Sequence, residues 1–210
     1  MKNNYDPIAK HYDFLSRLVF GKAQINAQTD QLKYLKSKSR ILIVGGGTGW
    51  ILEEITKRIP AGLNITYVEI SAQMLEVSRK RNHAGNEVTF IEQDIIAFDT
   101  QDRYDGVLTP FLFDNFTPQT AKAVFQKLNQ LLKVEGIWLY VDFNLSDSKG
   151  KWWRRIFLKL MYVFFRQISN VEAKRLLEMD IHFAESGCTK LEERRYYRNF
   201  IKSQVHQKQV

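Results

Sequence analysis

The sequence predicts an α/β fold: a doubly wound, mostly parallel sheet with helices on both faces, closed by an antiparallel C-terminal hairpin. Between residues 41 and 143, short runs of β-branched and aromatic residues alternate with segments of helical periodicity. That alternation is the pattern of parallel strands joined by crossover helices. The stretch 189–205 reads instead as two consecutive strands with a tight turn near Arg198, which fits an antiparallel pair completing a seven-stranded sheet.

The elements follow in order. Residues 5–20 place Ile8, Tyr12, Leu15 and Val19 on one helix face, and Gly21 ends it; a second helix is expected over 24–37. Residues 41–44, Ile-Leu-Ile-Val, make the first strand. Ile51, Leu52, Ile55 and Ile59 then give a helix over 49–59, stopped at Pro60-Ala61-Gly62. Residues 64–69 are the second strand, and Ser71 caps a helix over 72–83 with Met74, Leu75 and Val77 inward. Strands follow at 87–92 and 104–109, Thr117-Pro118 opens a helix reaching Leu132, and 136–143 is the fifth strand. Residues 152–168 form an aromatic, basic helix, 170–185 another, and 189–197 and 199–205 the hairpin.

Composition narrows the setting. A chain of 210 residues is long enough for one domain with a sizeable core. No apolar run approaches the roughly 20 residues that span a bilayer. The first residues, Met1-Lys2-Asn3-Asn4-Tyr5-Asp6-Pro7, lack the apolar stretch of a signal peptide. Cys188 is the only cysteine, so an internal disulfide and a cysteine-based metal cluster are excluded, and no metal is expected. A cytoplasmic protein is expected. The net charge of +8 is unevenly placed: residues 149–210 hold 14 Lys and Arg against 6 Asp and Glu, while 1–148 balance at 17 each. Such asymmetry reads either as a solvated face or as a contact for an anionic partner or membrane.

The chemistry concentrates at the strand ends. Gly45-Gly46-Gly47-Thr48-Gly49 joins the first strand to its helix. Glycines there let the backbone turn sharply and approach a ligand, and the helix N-terminus presents unpaired N–H groups. The spacing is G-x-G-x-G; Trp50 stands where the dinucleotide fingerprint needs its third glycine, and no P-loop lysine is present. Glu69 closes the second strand 20 residues after Gly49, where a carboxylate accepts from both hydroxyls of a ribose. Asp94 follows the third strand, placed to accept from an exocyclic adenine amine or to cap a helix N-terminus, with Ile95 lining the base. Thr109 ends the fourth strand, against the reacting end of a ligand.

This series resembles the class I S-adenosylmethionine (SAM)-dependent methyltransferases over about residues 40–145, and the hairpin fits that family's reversed last strand. The resemblance implies a Rossmann-like core and SAM as cofactor. It implies SAM contacts from Tyr12, Gly45, Gly46, Gly47, Gly49, Glu69, Ile70, Met74, Asp94, Ile95 and Thr109. One position departs: the acid often found two residues before the first glycine is Ile43 here, an apolar residue that polyamine synthases of the same fold also carry. Tyr5-Asp6-x-x-Ala9-x-x-Tyr12-Asp13 looks like the opening of the methyltransferases related to ubiquinone/menaquinone C-methylation. In those, a helix with the Tyr-Asp pair folds over the cofactor as a lid, which would bring Tyr12 to the methionine end of SAM. The expected plan is one methyltransferase domain, 1–210: a helical lid (1–38), a SAM-binding core (39–145), a helical insertion over the substrate site (146–188) and the hairpin (189–210).

Methyl transfer from a sulfonium is an in-line displacement in which positioning supplies much of the rate. Some acceptors also need a base; His11, Asp142 and His182 are the candidates, and Asp114-Asn115 stand where they can orient an acceptor. Thr109-Pro110-Phe111-Leu112 departs from the D/N/S-P-P-Y/F motif of amino-methylating nucleic-acid enzymes in its first residue and its second proline, which argues against a nucleic-acid substrate. In the 152–168 helix, Trp152, Trp153, Ile156, Phe157, Leu160, Phe164 and Ile168 share an apolar stripe flanked by Arg154, Arg155 and Arg166. Such a helix serves as the wall of an apolar acceptor pocket, as packed core, or as a peripheral membrane contact. The expected function is methyl transfer to a small apolar or aromatic molecule. One alternative is an aminopropyltransferase using decarboxylated SAM, favoured by Ile43 and opposed by the lack of an acid at 109–110, with Asp105 too early on its strand. The other is a non-catalytic SAM-binding, RNA-associated protein that uses its basic C-terminal third. The sequence specifies neither the acceptor nor the oligomeric state.

Overall fold

A computed structural model describes residues 12–144 and 177–209. Seven strands, β1 (Arg40–Val44), β2 (Ala61–Glu69), β3 (Gly85–Glu92), β4 (Tyr104–Pro110), β5 (Leu132–Phe143), β6 (Cys188–Tyr196) and β7 (Ile201–Lys208), form one sheet in the order β3-β2-β1-β4-β5-β7-β6. The first five run parallel, and β7 inserts antiparallel between β5 and β6. The winding direction reverses between β1 and β4, so the crevice beyond their C-terminal ends is where this class of sheet takes a ligand.

The helices are α1 (Tyr12–Phe20), α2 (Ala23–Thr29), α3 (Trp50–Arg58), α4 (Ala72–Ser78), α5 (Pro118–Leu131) and α6 (Asp180–Glu185). Strand alternation sorts β1 between the two faces. Ile41 and Ile43 pack with Leu52 and Ile55 of α3, while Leu42 and Val44 pack with Val124 and Leu128 of α5. On the α5 face Phe183 of α6 meets Trp138 edge-on at 5.1 Å and stacks on His206 at 3.8 Å between ring centroids.

Several boundaries differ from expectation. The helix expected over 24–37 breaks at Thr29 into a 3₁₀ turn (Asp30–Tyr34). This turn drops Leu32 and Leu35 into the core and lets the Gln31 amide donate to the carbonyls of both Tyr140 and Gln204 at 2.8 Å. α4 ends at Ser78 rather than 83, its last hydroxyl donating back to the Leu75 carbonyl. β2 begins at Ala61, inside the stretch expected to be a turn, and β5 begins at Leu132, directly after α5. The hairpin turn spans Tyr197, Arg198 and Asn199, all at positive φ. The expected helix at 152–168, the residues 170–176 and His11 lie outside the described residues.

Candidate active site

The glycine turn is held from behind. Gly45 donates to the Val68 carbonyl (2.9 Å), and the Tyr67 hydroxyl donates to the Gly47 carbonyl (3.0 Å). A Cβ on Gly46 would stand 2.4 Å from the Tyr67 hydroxyl oxygen, so only glycine lets the turn rest on that ring. Gly49 starts α3 at φ 75 with its Cα face against Ser78.

Glu69 ties two elements together. Its Oε2 accepts from the Gly47 N–H and its Oε1 from the Ser71 N–H, both at 3.0 Å. The Asp94 carboxylate accepts from the Ile96 N–H (2.9 Å), heading a turn whose carbonyls at Ile95, Ile96 and Phe98 all receive the Lys127 ammonium at 3.3, 2.6 and 2.7 Å. Across the glycine turn, Asp13 of α1 accepts from the Thr48 hydroxyl (2.5 Å) and from Arg81 (2.6 Å), and Arg81 also donates to the Thr48 carbonyl (3.0 Å). These bonds fasten the N-terminal helix onto the loop.

A cavity of about 510 Å³ opens over these groups, within the range of roughly 300–1,000 Å³ usual for small-molecule sites. Its lining includes Gly45, Gly46, Gly47, Glu69, Ile70, Met74, Asp94 and Ile95, together with Ser16, Gln24, Gln28, Trp50, Pro110, Phe111, Leu112, Asn115, Phe116 and Thr120. Phe111 sits at φ 51, which a bulky side chain rarely adopts, and lies 4.9 Å from the Phe143 ring. The Asn115 amide accounts for the geometry by donating to the carbonyls of Phe111 (2.9 Å) and Leu112 (3.2 Å).

A methyltransferase domain family matches residues 41–136. Over 168 residues, 77% of this chain and 67% of the relative, the sequence is 25% identical to the ubiquinone/menaquinone biosynthesis C-methyltransferase UbiE of Geotalea daltonii. Over 163 residues, 76% of this chain and 68% of the relative, it is 25% identical to the carboxy-S-adenosyl-L-methionine synthase of Nautilia profundicola. Among solved structures, the fold matches the methyltransferase from the Haloferax volcanii complex with the Trm112 methyltransferase activator, with a TM-score of 0.71, 12% identity and full coverage of both chains. The chain is a class I SAM-dependent methyltransferase.

In this methyltransferase the strand-end residues divide in two. Eight of the eleven expected cofactor residues face the cavity, as given above. Gly49 does not line it, because it lies behind the turn against α4. Thr109 requires a correction: its side chain is fully buried in the sheet and its hydroxyl accepts from the Trp138 indole N–H at 2.9 Å, because the pleat turns it away from the crevice that Pro110 reaches. Tyr12 begins α1, and its side chain is not among those described.

Two candidate bases also move away from the chemistry. Asp142 is buried behind the β4 loop, where its carboxylate accepts from the N–H groups of Phe113 (3.1 Å), Asp114 (3.2 Å) and Phe143 (2.8 Å). Burial pushes it up to about 7 against those three donors. Burial, and then the charge of Asp142, push the neighbouring Asp114 well above the usual carboxylate range, so the pair titrates jointly. Asp142 is therefore the anchor of the loop that carries Phe111 to Asn115. His182 lies on α6 with its ring 5.6 Å from Phe125, on the α5 face of the sheet and outside the cavity lining. Ser16, Gln24 and Gln28 were missed from sequence; the available signal was a pair of glutamines four residues apart on a helix whose Ala27 is core. Among the described residues no group of three or more His, Cys, Asp or Glu is arranged to hold a metal.

Proposed function

We propose that this methyltransferase transfers the methyl group of SAM to a small acceptor with an apolar or aromatic body. The carrying observation is the make-up of the cavity: among the described residues its carboxylates are Glu69 and Asp94, at or just beyond the ends of β2 and β3, while Trp50, Pro110, Phe111, Leu112 and Phe116 supply apolar wall. Backbone N–H groups of the glycine turn, Glu69 and Asp94 would hold SAM, with Ile70, Met74 and Ile95 against its base. The residues present fit this group, since Gly46 and Gly47 leave the turn bare of side chains beside an acid able to take ribose hydroxyls. Bound SAM supplies an electrophilic methyl on a sulfonium.

The protein's own contribution is orientation and exclusion of water. The Asp13–Arg81–Thr48 bonds hold α1 over the turn, and the Asp142-anchored loop fixes Phe111 at the acceptor end. Aminopropyl transfer is less well supported: Asp105, the acid within β4, sits at the strand's other end, bound by the Arg40 N–H (2.8 Å) and by Lys133 (2.7 Å). No helix among the described residues is long and apolar enough to cross a membrane, and a cytoplasmic small-molecule enzyme is the setting proposed. Calorimetry with SAM and S-adenosylhomocysteine tests the cofactor half. A screen of radiolabelled methyl transfer to aromatic acceptors, with anionic non-aromatic ones for comparison, tests the acceptor half. Saturable binding with turnover only on the anionic set would refute the apolar acceptor.

A further inference from the structure

The proposed reading leaves one part of the cavity without a task. α2 places Gln24 and Gln28 four residues apart on one helix face, and both line the cavity. They are 8% and 9% exposed. The Ser16 hydroxyl donates to Gln24 Oε1; among the described residues, the Gln24 amide nitrogen and the whole Gln28 amide have no hydrogen-bond partner. Neither amide is sealed from solvent: both open on the cavity, and a ligand that covered them without pairing them would leave costly unmet donors and acceptors. Two such groups on one face of a helix that buries Ala27 beside them are therefore poor core and well suited to a ligand.

Their position says which part of the ligand. α2 packs on β5, β7 and β6 and also on α1 and α3, so its cavity face spans from the glycine turn towards the strands across the switch point from Glu69 and Asp94. Phe111 packs against the cluster that holds Ala27 of α2. Among the described residues lining the cavity there is no Lys, Arg or His, so an anionic group at this end meets no counter-charge from them. Neutral amides instead match a neutral oxygen, by donating to a carbonyl or by both donating to and accepting from a hydroxyl.

We propose that Gln24 and Gln28 are specificity-determining residues that hydrogen-bond a neutral hydroxyl or carbonyl oxygen on the methyl acceptor, whose ring or chain lies along Phe111. This rests on the proposed function, which places the cofactor on the Glu69 side. A site built around buried amides rejects an analogue lacking the oxygen more strongly than apolar packing alone does.

The test uses the whole chain, wild type and Gln28→Leu, with S-adenosylhomocysteine and then 2-naphthol or 2-methylnaphthalene titrated into the S-adenosylhomocysteine-loaded protein. Wild type is expected to prefer 2-naphthol. Gln28→Leu is expected to melt at or above the wild-type temperature, to bind S-adenosylhomocysteine within about threefold of wild type, and to lose about tenfold in 2-naphthol affinity. A lower melting temperature with unchanged naphthol affinity would make the amide structural and overturn the proposal. Lost S-adenosylhomocysteine affinity would overturn it by assigning the amides to the cofactor's amino-acid end. Wild type that binds S-adenosylhomocysteine but shows no preference for 2-naphthol overturns the oxygen-bearing acceptor alone, whereas wild type that binds no S-adenosylhomocysteine overturns the cofactor reading and this one with it. Gln24→Leu, measured the same way, decides the matter if Gln28→Leu does not fold.

Discussion

Gly46→Ala should damage the fold and the cofactor site together. The added Cβ would lie 2.4, 2.6 and 2.7 Å from the hydroxyl oxygen, Cζ and Cε2 of Tyr67. Tyr67 cannot retreat easily: it is fully buried, its ring lies 5.5 Å from that of Phe90, and its hydroxyl holds the Gly47 carbonyl. Overpacking of this kind costs about 1–3 kcal/mol. For a chain of this size that lowers the melting temperature by roughly 2–12 °C. The alternative relaxation lifts the turn off the ring, which pulls the Gly47 N–H from Glu69 and should weaken S-adenosylhomocysteine binding by about tenfold or more. Thermal denaturation and calorimetry read the two effects. Tyr67→Phe should not rescue the variant, because two ring carbons remain within the clash distance. Gly47→Ala gives the contrast: nothing lies within 4 Å of its Cβ, so its stability loss comes only from φ 61, about 1–2 kcal/mol. A Gly46→Ala protein with wild-type melting and wild-type affinity would refute the seating of the turn on Tyr67.

Lys127→Met should lower S-adenosylhomocysteine affinity several-fold without contacting the ligand, because three carbonyls of the 95–98 turn lose a charged donor worth about 1–3 kcal/mol; unchanged calorimetry would remove its positioning role. Asp13→Asn and Arg81→Met, combined in a double-mutant cycle, should show coupling on the order of 1 kcal/mol in thermal stability and faster S-adenosylhomocysteine release by stopped flow; strict additivity would mean α1 is not fastened there. The pH dependence has a definite sign. Asp142 and Asp114 have folded pKa values raised above their unfolded ones, so the folded state holds more protons and the pair's contribution, complete below about pH 4, is lost as pH rises through about 7. Tyr140, Lys202 and Asp180 lie in the same charge field. Melting curves at pH 6 and 8 should therefore show lower stability at pH 8, and Asp114→Asn should flatten the difference; a wild-type slope in the variant would assign the proton elsewhere.

The core of the fold was legible because its signals are local. Ile41 to Val44 running into Gly45, and Ser71 and Thr117 as helix caps, depend on neighbours in the chain, and the structure has those caps bonded to Met74 and Thr120. Glu69 and Asp94 were equally readable, since they close or follow β2 and β3, the two strands that come next after the glycine turn. Thr109 and Asp142 were misjudged for a different reason: being at a strand end does not say which way the pleat points, and one residue of phase separates Pro110 in the cavity from Thr109 in the sheet. Gln24 and Gln28 offer only their i, i+4 spacing in the sequence, because their meaning depends on strands more than a hundred residues away. The break of α2 at Thr29 likewise depends on Gln31 reaching the carbonyls of Tyr140 and Gln204.

The reversed seventh strand has a consequence for synthesis. β5, Leu132–Phe143, is the longest strand among the described residues, with Trp138 and Tyr140 fully buried, and its edge away from β4 pairs with β7, which the ribosome makes after β6. Until Ile201 to Lys208 emerges, a nascent chain with β1 to β5 in place carries an open, apolar edge, the kind that recruits other strands. Vectorial folding of this enzyme therefore cannot close its sheet in step with translation, and chaperone demand should peak in that interval.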